Sequence, residues 1–208
     1  MLTTRIVLIH GAATTSRIWA RVVAALPDFE VQTPDRPSSG DLEQELDFLA
    51  DGCQGAVVGG VSGGATLGLA LAARGLAMRA AVLHEPAAGS LVPGLLDAVA
   101  AAFRDRGVEG FGSTLYGPAW SPADAPDDPT AVGRDFAMFR GYEPAAPAAG
   151  AGPVLLTVGG DSPPVRQQVQ ETLTAKLGVR GRTIAGVGHP VHLDAPERFA
   201  ALLREAAG

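Results

Sequence analysis

Ser62 lies in Gly60-Val61-Ser62-Gly63-Gly64, between the apolar run Ala56-Val57-Val58-Gly59 and a small-residue run from Ala65 to Ala73. A strand turning sharply into a helix there would strain the backbone at the serine and lift its hydroxyl clear of the sheet. Gly60 and Gly64 fall where strand and helix pass closest, so a side chain at either would collide. A serine hydroxyl is a poor nucleophile at neutral pH and needs a base to take its proton. His189, in Val187-Gly188-His189-Pro190, offers an imidazole whose ordinary pKa is near 6.5. A carboxylate must then hold the ring in the right tautomer and stabilise the imidazolium. Asp161 ends the buried-type run Val154-Leu155-Leu156-Thr157-Val158-Gly159-Gly160, and we assign it that role. Glu85, in Leu83-His84-Glu85-Pro86, is the alternative acid. Asp35 precedes the serine, on the wrong side in chain order, and Asp194 follows His189 so closely that it reads as a helix cap.

These side chains need a scaffold, and the pattern around them supplies one. Apolar runs predict strands near 5–9, 29–33, 55–60, 79–84, 153–158 and 179–184. Helical patterns fall near 16–26, 41–50, 63–74, 163–177 and 196–206, with Ser16 and Asp41 as N-caps and Gly75 and Gly178 as stops. The alternation argues for an α/β fold, a parallel sheet with helices on both faces. Residues 86–152 interrupt it with helices near 91–106 and 130–140 and with loops rich in Pro, Ala and Gly. Their apolar members are Phe103, Phe111, Tyr116, Trp120, Phe136, Met138, Phe139 and Tyr142. Sequence alone does not say which of them face a pocket.

The order Ser62, Asp161, His189, with a G-x-S-x-G turn at the serine, resembles the α/β-hydrolase family over nearly the whole chain. So do His10-Gly11-Ala12-Ala13 after the strand Ile6 to Ile9, and Gly186-Val187-Gly188-His189 through Pro196-Glu197-Arg198-Phe199. Trp19 resembles a tryptophan often found after the first His-Gly. Thr33 to Gly40 resembles the family's Asp-x-Pro-Gly-x-Gly loop, with Ser38 in place of its first glycine. The resemblance implies a three-layer sandwich around a six-stranded, all-parallel sheet of order 2-1-3-4-5-6, without the family's N-terminal hairpin. Residues 1–208 would form a single domain, with a small helical cap at about 86–152. The backbone N–H groups of Ala12 and Gly63 would form the oxyanion hole, and His10 would brace that loop. Some family members carry the acid at the position of Glu85.

Composition bounds the function. The chain has 208 residues, 47% hydrophobic and 18% charged, and a formal net charge of −6. That suits one globular domain and, with no basic run, argues against nucleic acid as a partner. The single Cys53 excludes an internal disulfide and reads as incidental. No leader-like or membrane-length apolar run stands out, so a cytoplasmic protein, monomeric or a homodimer, is expected. His189 and His192 flank Pro190, which spoils a shared metal register, so neither metal nor cofactor is expected. The expectation is a serine esterase, lactonase or thioesterase acting on a small, largely apolar acyl substrate through an acyl-enzyme. The alternatives are a non-hydrolytic or carbon–carbon-cleaving tailoring enzyme on the same fold, or a ligand-binding module without turnover.

Overall fold

In the computed structural model, residues 4–208 are described, and the expected lack of an N-terminal hairpin falls partly on residues 1–3, outside them. Six strands form one sheet in the order β2-β1-β3-β4-β5-β6. They are β1 Arg5–Ile9, β2 Glu30–Gln32, β3 Val57–Val61, β4 Ala80–His84, β5 Val154–Gly159 and β6 Arg180–Ile184. Every pairing is parallel. β3 and β4 are buried along their whole length, because helices cover both faces. β6, at the edge, buries only Ile184.

Successive side chains on a strand point to opposite faces, and so two cores form. On one face Ile6, Leu8, Val57 and Val82 meet α1 (Ala20–Ala24) and α8 (Pro196–Ala207) through Val22, Phe199 and Leu203. On the other, Val7, Val58, Ala81 and Leu83 meet α2 (Leu42–Cys53), α3 (Gly63–Ala73) and α6 (Pro164–Leu177). Leu46, Leu49, Leu67, Leu71, Leu173 and Leu177 are among the side chains they contribute. The cap adds α4 (Asp97–Tyr116) and α5 (Ala131–Arg140), and a short α7 (Val191–Asp194) follows His189.

The chain runs from β1 to one neighbour and then back to β3 on the other side. The carboxyl ends of β1 and β3 therefore diverge into a crevice, where ligands bind in open α/β sheets.

Local details differ from the sequence expectation in three places. Ser16 does not cap a helix: Thr15 holds that position, and Ser16 N–H and Oγ–H donate to Asp35 at 2.6 and 3.0 Å. Asp194 sits inside α7, and the position before α8 belongs to Ala195, with no side-chain cap. The first cap helix begins at Asp97 rather than near 91, because Pro93 and Gly94 (φ +84°) keep the chain in turns, and it runs on to Tyr116 across a kink at Gly107. Asp41 does cap α2, accepting from Gln44 N–H at 3.1 Å, and Gly178 ends α6 in a left-handed conformation.

Candidate active site

The turn between β3 and α3 holds Ser62 at φ +58°, ψ −122°. A non-glycine residue there stores roughly 1–3 kcal/mol of backbone strain. The surroundings enforce it. A Cβ on Gly64 would lie 1.9 Å from the Ile9 carbonyl oxygen, and one on Gly60 would lie 2.5 Å from that of Gly64. Strand and helix are in backbone contact, so the serine between them must turn outward.

The structure pairs His189 with Glu85 and not with Asp161. Glu85 follows β4 directly, at φ +52°, and its Oε2 accepts from His189 Nδ1–H at 2.7 Å. Its other oxygen accepts from Gly159 N–H at 2.9 Å and from Ser162 Oγ–H at 2.5 Å. Arg166 Nε adds a 3.1 Å contact to Oε2. Asp161 is exposed, and its backbone N–H is bound to the Val187 carbonyl at 2.9 Å. The end of β5 thus serves the acid through Gly159 and Ser162 instead of providing it. The expected pairing of His189 with Asp161 is not formed, and the alternative residue, Glu85, occupies that place.

Burial alone would raise the Glu85 pKa. The hydrogen bond and charge of His189, with Arg166 and His84, outweigh burial and hold the carboxyl well below its usual range. Because Nδ1 keeps its proton to donate it to Glu85, Nε2 of His189 is left with a lone pair, and this buried atom has no partner among the described residues. Burial and then Arg166 lower the His189 pKa against the pull of Glu85, which favours the neutral ring.

Two unengaged backbone N–H groups complete the set. Gly11 C=O accepts from Arg36 Nη2, Thr14 Oγ and His10 Nδ1 at 3.2, 3.0 and 3.0 Å. In a trans peptide the N–H points opposite the C=O. Pinning Gly11 C=O therefore fixes the direction of the Ala12 N–H. Ser62 C=O is likewise taken by Thr66 N–H and Oγ–H at 2.9 and 3.0 Å, which orients the Gly63 N–H. Ala12, Ser62, Gly63 and Glu85 line one small space of about 30 Å³. Cap residues Leu95, Leu96, Phe111, Leu115, Phe136 and Phe139 close it. His189 opens on a groove of about 460 Å³ that shares Leu95, Leu115 and Arg166 with that space.

Tyr116 stands between the two. Its ring packs on His189 at a centroid distance of 5.7 Å. Its hydroxyl donates to Ala12 C=O at 2.8 Å, and burial pushes its pKa up to about 12. The same hydroxyl and Ser62 Cβ lie 2.6 and 3.2 Å from where a Gly11 side chain would begin. No hydrogen bond joins Ser62 to His189 in this closed arrangement; such contacts often tighten only when substrate is bound. A larger cavity of about 530 Å³ lies at the opposite ends of β4, β5 and β6, lined by Ala80, Val154 and Arg180, and it carries none of this chemistry.

Arg36 is the residue the sequence reading passed over. It is buried, and it donates to Glu45 of α2 at 2.9 Å, Asp135 of α5 at 2.6 Å and His10 C=O at 3.1 Å. Its backbone N–H donates to His10 Nε2 at 3.1 Å, which fixes that ring as the brace expected of it. Ser38, which stands in place of the first glycine of the resembled loop, has φ +48°, the region glycine favours, and its hydroxyl donates to Asp135 at 3.3 Å. Arg36 thus ties the His10–Gly11 turn, α2 and α5 together. Arg36→Met would leave two buried carboxylates without a cation and should lower stability by about 3–5 kcal/mol. Urea denaturation measures this, and a loss below about 1 kcal/mol would deny the network its role.

The remaining chemistry-bearing residues are structural. His84 is buried between Thr157 Oγ at 2.9 Å and Gly188 C=O at 3.2 Å, and steadies the His189 loop. His192 packs on Trp19 at 5.0 Å, and Trp19 stacks on Phe199 at 5.8 Å. Burial pushes the Cys53 thiol up to about 12. Among the described residues no group of three or more His, Cys, Asp or Glu could hold a metal ion, and no helix is long and apolar enough to cross a membrane.

All four histidines are buried, and desolvation lowers each pKa: His10 to about 3, His84 to about 4, His192 well below its ordinary value, and His189 also downward. A lowered folded-state pKa means the unfolded chain binds protons first as the pH falls. The contribution to stability is full above about pH 6.5 and is lost on acidification, at roughly 1.4 kcal/mol per histidine per pH unit. His10, His84 and His192 together should cost roughly 4 kcal/mol between pH 6 and 5. Equal urea midpoints at pH 7.5 and 5.5 would show that these rings are not held neutral.

The family model described as Alpha/beta hydrolase family matches residues 6–202. Among solved structures, an alpha/beta hydrolase from Sphaerobacter thermophilus is 27% identical, with 99% of this chain and 93% of that one covered at a TM-score of 0.70. The enol-lactonase from Burkholderia xenovorans is 21% identical over 99% and 92%, at a TM-score of 0.74. Carboxylesterase CesB from Bacillus subtilis is 18% identical over 98% and 83%, at a TM-score of 0.68. No curated protein matches the chain significantly. With a match that spans the elements carrying Ser62, Glu85 and His189, the chain belongs to the alpha/beta hydrolase family.

Proposed function

We propose that the protein is a serine hydrolase that cleaves ester-type bonds through an acyl-enzyme. Ser62 is the nucleophile, His189 the base, Glu85 the acid that orients it, and Ala12 and Gly63 N–H the oxyanion donors. The observation that carries this reading is the 2.7 Å bond from His189 Nδ1 to Glu85, which leaves Nε2 bare and basic. On substrate binding, Nε2 takes the Ser62 proton as Oγ attacks the carbonyl carbon. The carbonyl oxygen becomes an oxyanion, and the two N–H groups, already oriented by their pinned carbonyls, meet it at no cost in reorganisation. Collapse expels the leaving alcohol, which takes the proton from His189. Water, deprotonated by the same nitrogen, then releases the acid.

The leucines and phenylalanines over Ser62 suit a small apolar acyl group. Solved structures of this fold include an enol-lactonase, a carboxylesterase and a thioesterase domain, which agrees with esters, lactones or thioesters as the substrate class. A fluorophosphonate probe tests the reading directly. It should label the protein once, at Ser62, and leave the Ser62→Ala variant unlabelled. A native protein that resists the probe under conditions that label a known serine esterase would favour a ligand-binding module instead.

A further inference from the structure

Arg166 is more than the acid's neighbour requires. Its side chain is 10% exposed, and stripping a guanidinium of water costs several kcal/mol unless its donors are met. Only Nε is engaged, at 3.1 Å from Glu85. That carboxylate is already held by Gly159, Ser162 and His189. Among the described residues none accepts a hydrogen bond from Nη1 or Nη2 of Arg166. Arg166 lines both the closed space that holds Ser62 and the groove that holds His189. The rest of the inner space is apolar apart from Ser62, Thr66 and the saturated Glu85. Asp161 and Asp194 line only the outer groove and are exposed there, so the inner space holds no carboxylate besides the saturated Glu85.

We propose that the free edge of Arg166 anchors a carboxylate of the substrate, so that the enzyme prefers esters bearing an anionic group a short apolar spacer away from the scissile carbonyl. The fork of two N–H donors matches a carboxylate in a bidentate pair, and the leucines and phenylalanines cover the spacer. This rests on the reading of Ser62 as nucleophile, but its first test needs no turnover.

In the Ser62→Ala protein, calorimetry should show monomethyl glutarate binding at least about tenfold more tightly than dimethyl glutarate, the difference expected of a charge-assisted pair. Adding Arg166→Met should erase the difference, and Arg166→Lys should keep part of it. Arg166 also touches Glu85, so activity of these variants is read only as a ratio. In the protein with Ser62, kcat/KM for the p-nitrophenyl monoester of glutaric acid over that for p-nitrophenyl pentanoate should exceed about ten, and should fall towards one in Arg166→Met. Equal binding of the two glutarates to Ser62→Ala overturns the anchor without any appeal to the Arg166 variants. So does a preference that survives Arg166→Met. Tight binding of the monoester with no hydrolysis of either ester would uphold the anchor while the acyl-transfer reading falls.

Discussion

Glu85→Gln should lower kcat/KM for an activated ester by about 10³–10⁴-fold, while Asp161→Asn should change it by less than about threefold. The asymmetry follows from what each side chain touches. Glu85 accepts a hydrogen bond from His189 Nδ1–H at 2.7 Å, which keeps the proton on Nδ1 and the lone pair on Nε2. A glutamine carries one acceptor oxygen, which Gly159 N–H and Ser162 Oγ–H already claim. Its amide would turn a donor towards His189, favour the wrong tautomer and leave the Arg166 charge unbalanced. Asp161 is exposed and makes its one bond through the backbone. Equal losses in the two variants, or a larger loss at Asp161, would return the acid to the end of β5.

Ser62→Ala should reduce turnover of the same ester by roughly 10⁶-fold, to the background of the assay. Stability should hardly change, because alanine keeps the backbone conformation and removes one partly exposed hydroxyl. Ser62→Gly should be equally inactive, yet more stable by about 1 kcal/mol, since glycine relieves the strain at φ +58°. Chemical denaturation beside the kinetics separates the two effects. Activity within tenfold of the native protein in Ser62→Ala would move the nucleophile elsewhere, and a Ser62→Gly variant less stable than Ser62→Ala would remove the claim of strain at the turn.

Local patterns in the sequence determined the strands, the helices between them and the turn that presents Ser62, while the order of the strands came with the family resemblance. A strand buried on both faces reads as an apolar run, a surface helix shows its stripe, and Gly60 and Gly64 mark a backbone approach that admits nothing larger. His189 was legible because its loop lies between a strand and the last helix. The acid was narrowed to two residues but not decided. Asp161 and Glu85 both follow strands of adjacent position, β5 and β4, and chain order allows either. Only the tertiary structure separates them, by bringing Glu85 within 2.7 Å of His189 Nδ1 and leaving Asp161 exposed, and neither of those leaves a trace in residue type.

Arg36 and Arg166 were invisible for a different reason. A buried cation is defined by its partners, and Arg36 finds Asp135 ninety-nine residues away, while Arg166 of α6 finds Glu85 at the end of β4. The cap was likewise visible as an insertion, but its docking was not. Tyr116 and Trp120 hydrogen-bond to the carbonyls of Ala12 and Ala13 at 2.8 Å each, contacts between segments more than a hundred residues apart. Periodicity reports on how a segment meets its own element, whereas charge pairing and cap closure depend on which distant segments the sheet brings together.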